Sequence, residues 1–309
     1  MVAGPLVSNT IGAIALVGSL CLATAASSFP AWQDFEPGSI QVAGQQRTYL
    51  VSRTKASGPL PTIVLLHGLG GSAEKLSQSG AGLAALGARD GFVTVLPNAL
   101  GVWNAFPQGT HYPTRGYGSY VRSGEDVAFL KQLVADLVAR RIADPSRVYL
   151  AGISFGGHMT LWMACVAPQQ FAALGVVISS MPEPDAPDCH PSKPLPLVMI
   201  NGTDDPVVPF AGGMTSGGFR VWSRDHTLTF FRKINGCDGA AQHSVIPESD
   251  WNERLTVDRW TNCSGAPVTA YSAIGGVHEV PGGLRAMADG FSSAQALWDF
   301  FRDKKANID

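Results

Sequence analysis

The stretch Arg147-Val148-Tyr149-Leu150-Ala151-Gly152-Ile153-Ser154-Phe155-Gly156-Gly157-His158 decides how this chain is read. Arg147 to Ala151 has the apolar character of a buried strand, and a helical pattern runs from Phe155 to Ala167. Between them Gly152-Ile153-Ser154-Phe155-Gly156 follows the G-x-S-x-G spacing in the context that spacing requires: strand, sharp turn, helix. Glycines there permit close packing, so a serine is held in a strained conformation with its hydroxyl above the sheet. The positive end of the following helix favours negative charge at the same place. Ser154 is therefore the expected nucleophile. The plainer alternative is a serine N-cap beside packing glycines.

Working outward, Ser39 to Arg53 alternates around Ala43-Gly44 and reads as an antiparallel hairpin. Pro61 to Leu66 and Phe92 to Leu96 are continuous apolar runs of strand length, the kind buried on both faces of a sheet. Ser72 to Ala88 reads as a helix with Ser72 as N-cap. Glu125 to Arg141 is the clearest helix, with Val127, Leu130, Val134, Leu137 and Val138 on one stripe. Further strands are expected at Ala173 to Ile178, Leu197 to Ile200 and Thr269 to Ala273, and a last helix at about Leu284 to Phe301. Apolar strands alternating with helices predict a three-layer α/β sandwich with a mostly parallel sheet between helix layers.

A nucleophilic serine needs a base, and the base needs an orienting acid. On an α/β-hydrolase sheet the order along the chain is serine, acid, histidine. Five histidines follow Ser154: His158, His190, His226, His243 and His278. His158 sits on the helix after the nucleophile, facing the wrong way for a base on a separate loop. His278 lies in the glycine-rich turn Ile274 to Gly282, between a strand and the last helix, and is the expected base, with His243 as the alternative. For the acid, Leu197 to Ile200 runs into Asn201-Gly202-Thr203-Asp204-Asp205-Pro206. Asp205 is preferred, and Asp204 is read as a turn cap.

An oxyanion needs two backbone N–H donors. One is expected from Phe155, after the nucleophile. The other is expected from Leu69, in Leu66-His67-Gly68-Leu69-Gly70-Gly71, with Gly68 or Gly70 as alternatives. His67 is read as bonding its own loop. Trp103-Asn104, with Phe106, Tyr112, Tyr117 and Tyr120, lie in a long loop read as lining a substrate pocket or, equally, folding a small core of its own. Asp126 is read as a helix cap.

The chain has 309 residues, of which 45% are hydrophobic and only 15% charged, against roughly 25% charged in an average domain. That composition excludes disorder. A net charge of −2 gives no electrostatic reason to expect nucleic acid or an anionic membrane as partner. Residues 1–25 read as a cleaved leader, with Ile11 to Leu22 as apolar core and Ala23-Thr24-Ala25 at the cleavage site. An uncleaved anchor and a misplaced start are the alternatives, because no Lys or Arg precedes the core. Residues 26–309 are then one catalytic domain of an extracellular protein, with no stable membrane association. Cys165, Cys189, Cys237 and Cys263 remain, an even number that suggests two disulfides in an exported chain, although spacing permits three pairings. No metal site or organic cofactor is implied.

Leu66-His67-Gly68, Trp103-Asn104, Glu125-Asp126-Val127, Gly152 to Gly157, Gly202-Thr203-Asp204-Asp205-Pro206 and Gly276 to Gly282 succeed one another as in a known group. From about Ser39 to Phe301 the chain resembles the polyhydroxybutyrate depolymerase-like and feruloyl esterase group, the family 1 carbohydrate esterases. The resemblance implies an α/β-hydrolase fold, a Ser154, Asp205, His278 triad and the local disulfides Cys165–Cys189 and Cys237–Cys263. It also implies hydrolysis of feruloyl or acetyl esters of plant polysaccharide, or of 3-hydroxybutyrate oligomers. Val280 stands where that group usually carries Trp after the histidine, and Phe155 where many of its members carry a polar residue. A linker and polymer-adsorbing domain are not seen, so a soluble or chain-end ester is expected over solid polyester. The competing readings are a depolymerase proper, a lipase or peptidase on the same fold, and a non-catalytic cell-wall-binding protein.

Overall fold

The computed structural model describes residues 1–2, 4, 34–53, 58–104, 111–114, 118–121, 125–246, 254–284 and 290–307. The expected leader, residues 1–25, lies almost wholly outside them. In chain order, β1 (Phe35–Val42) and β2 (Gln45–Ser52) form the hairpin read from the sequence. Ala43 and Gly44 close it at φ of 49° and 79°, the left-handed region that a two-residue hairpin turn demands. Then come β3 (Leu60–Leu66), α1 (Ala73–Asp90), β4 (Val93–Pro97) and a short hairpin of β5 (His111–Thr114) and β6 (Gly118–Val121). Next are α2 (Glu125–Ala139), β7 (Ala143–Ile153), α3 (Phe155–Val166), β8 (Ala173–Val177) and β9 (Leu197–Gly202). A second hairpin, β10 (Gly213–Met214) and β11 (Arg220–Val221), precedes α4 (Arg224–Ile234). The chain continues through β12 (Gln242–Ile246), β13 (Arg254–Trp260), β14 (Val268–Ile274) and α5 (Ser293–Phe301).

Ten strands make one sheet in the order β1-β2-β4-β3-β7-β8-β9-β14-β13-β12. The run from β4 to β14 is parallel, and antiparallel strands extend it at both edges. Successive residues of a strand face opposite sides, so β3 sends Val64 and Leu66 to one core and Ile63 and Leu65 to another. The first core packs α2, α3 and α4 through Phe129, Met159 and Phe231; the second packs α1 and α5 through Leu83, Leu297 and Phe301. The α/β-hydrolase layering expected from the sequence is therefore present.

Local signals fix the ends of the helices. Ser72 caps α1 by accepting from the Lys75 N–H at 3.2 Å, and Gly91 ends it at φ 81°. The last helix is shorter than expected: Leu284 and residues 290–292 are not helical, and Ser292 caps a helix that starts at Ser293. Gly290, at φ 101°, breaks the pattern that periodicity alone carried through. Helix α4 and the edge strands β12 and β13 were not anticipated, because β12 is almost wholly exposed and has no apolar face to read. Cys165 is bonded to Cys189 and Cys237 to Cys263. These bridges span 24 and 26 residues. Each stabilises by about 3 kcal/mol in the chain-entropy model.

Candidate active site

Strand β7 delivers Ser154 to the carboxyl end of the parallel sheet, where crevices in open α/β sheets form. Ser154 has φ 53° and ψ −117°, a conformation costing about 1–3 kcal/mol for a residue with a side chain. Tight packing enforces it. A Cβ on Gly152 would lie 2.1 Å from the Gly156 carbonyl oxygen, and one on Gly156 would lie 2.5 Å from that of Leu66. Only glycine lets β3, β7 and the start of α3 meet this closely. The Ser154 N–H also donates to the Val177 carbonyl at 2.9 Å, tying the turn to β8.

Asp205 and His278 follow β9 and β14, which are parallel neighbours in the sheet, so their terminal loops emerge side by side. Backbone bonds stitch the two loops together. Thr203 N–H donates to Ala273 O at 2.9 Å, Asp204 N–H to Gly276 O at 2.9 Å, and Gly275 N–H to Thr203 Oγ1 at 2.8 Å. His278 Nδ1 lies 2.7 Å from Asp205 Oδ2, and its Nε2 lies 2.9 Å from Ser154 Oγ. The other carboxylate oxygen of Asp205 accepts the N–H groups of Val207 and Val208 at 2.8 and 2.9 Å. Its side chain is 2% exposed, so the acid is fixed from three directions. Asp204 is exposed and accepts from the Thr203 hydroxyl at 3.0 Å. His243 sits at the sheet edge, 2.7 Å from Asp258.

Ser154 and His278 open into a cavity of about 460 Å³. Gly68, Leu69 and Phe155 line it beside the serine, so both residues expected to donate to an oxyanion stand there. Phe155 is the first residue of α3, where backbone N–H groups point out of a helix. The opposite wall is apolar, built from Ile178, Val207, Val208, Phe219 and Val280, with Thr215 and Ser216 as polar members. The sequence reading missed the Val207 to Phe219 part of this wall; its one signal was the glycine-rich run Ala211 to Phe219 after the acid.

Trp103 and Asn104 are not on the cavity wall, against the expectation that they line a substrate pocket. Each is only 1% exposed. The Trp103 ring packs on His67 with centroids 5.1 Å apart and donates its indole N–H to the His67 carbonyl at 2.9 Å. Asn104 gives its N–H to Asp126 Oδ2 at 2.7 Å. Trp103 thereby braces the loop carrying Leu69, because a buried indole needs an acceptor and the loop backbone supplies one, whereas Asn104 is tied to α2. Phe106 and Tyr117, read with them, lie outside the described residues.

Asp126 is not the helix cap expected from the sequence: it lies inside the first turn of α2, and its oxygens go to Arg47 and to the Asn104 N–H. Its carboxylate pairs with the Arg47 guanidinium, both side chains almost wholly buried. Burial pushes the Asp126 carboxyl above its usual range, and Arg47 opposes that. His67 bonds its own loop as expected: Nδ1 donates to Gly68 O at 2.8 Å, and Nε2 accepts the Ala99 N–H at 3.3 Å. Burial holds it below the usual histidine pKa, so it is the neutral ring that bonds this way.

Residues 47–183 match the family model described as esterase PHB depolymerase. The putative esterase NocK of Nocardia uniformis subsp. tsuyamanensis is 29% identical over 261 residues, covering 79% of this chain and 73% of that protein. Feruloyl esterase B of Piromyces equi is 25% identical over 78% of this chain and 42% of its own length. Poly(3-hydroxyalkanoate) depolymerase C of Paucimonas lemoignei is 28% identical over 75% of this chain and 50% of its own. The chain thus spans half or less of these last two relatives. Among solved structures, an acetyl xylan esterase from Aspergillus awamori superposes with a TM-score of 0.60 at 16% identity, covering 86% of this chain and 99% of that one. That likeness shows the fold. In sequence the chain is similar to the polyhydroxybutyrate depolymerase and feruloyl esterase group, and its architecture is the α/β-hydrolase fold.

Proposed function

We propose that the protein is an exported serine esterase acting through Ser154, His278 and Asp205. The observation that carries this reading is the continuous chain of contacts from Asp205 Oδ2 through the His278 ring to Ser154 Oγ, at 2.7 and 2.9 Å. Ser154 attacks the ester carbonyl while His278 Nε2 takes its proton. Asp205 holds the tautomer with Nδ1–H and stabilises the imidazolium that forms. The N–H groups of Phe155 and Leu69 receive the tetrahedral oxyanion, a contribution of about 2.7–4 kcal/mol per donor in serine hydrolases. His278 then protonates the leaving alcohol, and water activated by the same ring releases the acid.

The substrates in this reading are feruloyl or acetyl esters of plant polysaccharide, or 3-hydroxybutyrate oligomers, as the names of the relatives suggest. The two disulfides favour an oxidising compartment and support export. Hydrolysis of 4-nitrophenyl acetate, methyl ferulate, acetylated xylan and 3-hydroxybutyrate oligomers by the wild type and Ser154→Ala is the test. Turnover of at least one ester, abolished in Ser154→Ala, is expected; full activity in the variant would overturn the assignment.

A further inference from the structure

Ile178, the residue after β8, has φ 46°, in the left-handed region. That region suits glycine; for a β-branched side chain it is an outlier. Such outliers persist where the surrounding structure over-determines them, and they gather at active sites and ligand clamps. Ile178 lines the catalytic cavity together with Ser154. The conformation also decides where its side chain goes. Leu174 and Val176 of β8 face the first core, Ala173 and Val177 the second. Continued alternation would turn Ile178 toward the first core. It packs instead with the second, so the left-handed turn carries the side chain across the end of the sheet and onto the cavity wall.

Hydrogen bonds on both sides hold this backbone in place. Val177 O accepts the Ser154 N–H at 2.9 Å, and the Ile178 N–H donates to Ile200 O at 2.7 Å. Ser179 O accepts from Asn201 Nδ2 at 3.0 Å. Ser180 O accepts from Nδ1 of the buried His158 ring at 2.8 Å, since a carbonyl only accepts. The Met181 N–H donates to Thr227 Oγ1 at 3.1 Å. Each residue from Val177 to Met181 is thus tied to a neighbouring element: the nucleophile turn, β9, α3 or α4. An ordinary extended backbone at Ile178 would break this register. His158, which has no part in the proton transfers, serves as one of these clamps.

We propose that Ile178 is a specificity-determining residue: held in a strained backbone, its side chain closes the cavity beside Ser154 and limits the length of the acyl group. This rests on the esterase reading above. The acyl side is indicated by the bond between Ser154 N–H and Val177 O, which sets Ile178 against the residue that keeps the acyl group once the alcohol has left. The side chain is almost wholly buried, so truncating it adds its volume to the cavity and opens no path to solvent.

Straight-chain 4-nitrophenyl esters from acetate to octanoate vary the acyl length at a fixed alcohol; methyl, butyl and octyl acetate vary the alcohol at a fixed acyl group. In Ile178→Ala and Ile178→Gly, kcat/KM for the octanoate relative to the acetate should rise about tenfold or more, the scale on which apolar pockets discriminate chain length. Ratios within the alcohol series should stay as in the wild type. Strain has its own readout. At an ordinary position glycine is less stabilising than alanine. At φ 46° the order reverses, so Ile178→Gly should melt at a higher temperature than Ile178→Ala. An unchanged acyl ratio, or a change confined to the alcohol series, overturns the specificity role, and a higher melting temperature for Ile178→Ala overturns the strain. If neither variant folds, Ile178→Val decides: one methylene smaller, it should raise the same ratio, and an unchanged ratio overturns the proposal. Unchanged ratios with an inactive Ser154→Ala leave the esterase reading standing, whereas an active Ser154→Ala removes that reading itself.

Discussion

The indole N–H of Trp103 donates to the main-chain carbonyl of His67 over 2.9 Å, joining two loops that are 36 residues apart. His67 begins the turn that carries Gly68 and Leu69 past Ser154, so this bond supports that turn from the side away from substrate. Trp103→Phe keeps most of the packing and leaves the His67 carbonyl unpaired. A loss of about 1–3 kcal/mol in unfolding free energy is expected. If the turn also loses its position, kcat should fall with little change in KM, because an oxyanion donor acts in the transition state. Denaturant titration and steady-state kinetics check both; an unchanged kcat would limit Trp103 to stability.

Asp205 and Asp204 are adjacent yet differently held, and isosteric amides should separate them. In Asp205→Asn the side-chain oxygen can still accept from Val207 and Val208, so the loop should keep its fold. Its NH₂ group then faces His278 Nδ1 and forces the wrong tautomer. A fall in kcat of about 10⁴, as when the orienting acid of a serine triad is amidated, is expected. Asp204→Asn changes an exposed group and should stay near wild-type activity. Equal losses in the two variants would contradict the assignment of Asp205.

The buried pair of Arg47 and Asp126 predicts an asymmetric response. Asp126→Ala strands the guanidinium between Phe129, 4.0 Å from it, and the Asn98 carbonyl, and should cost about 3–5 kcal/mol. Replacing both partners, as in Arg47→Met with Asp126→Leu, should cost much less, since no uncompensated charge remains. Chemical denaturation of the two proteins gives the comparison directly; equal losses would mean that the charge pairing is not what matters.

Stability should fall on mild acidification. His158 titrates at about 4 in the folded protein, against an ordinary value of 6.5, because burial disfavours its charged form. His67 is shifted the same way by the same cause. Each group's contribution is fully present above pH 6.5, where folded and unfolded states both hold it neutral. As pH drops below that, the unfolded chain binds the proton first, and stability is lost until the folded state protonates as well. At about 1.4 kcal/mol per pKa unit, His158 alone accounts for roughly 3 kcal/mol between pH 6.5 and 4. Melting temperatures across that range should decline, and less steeply in a folded His158→Phe.

By itself the sequence determined what contiguous residues can encode. The strand, glycine-flanked serine and helix of residues 147–166 form one uninterrupted stretch, so the turn at Ser154 is legible from spacing. The Ala43-Gly44 hairpin and the Ser72 cap are local for the same reason. Asp205 and His278 could be named because each follows a readable strand, but nothing in the string says that these strands touch. The tertiary structure decided that, by placing β14 against β9 and bonding their loops across some seventy residues. It also turned Trp103 inward, set Arg47 on Asp126, and brought Phe219 against His158. Periodicity reports which face of an element is apolar; it does not report which distant group will meet a polar atom on that face. Partners of that kind are chosen only when the sheet order is fixed, and the polar side of this cavity was chosen in that way.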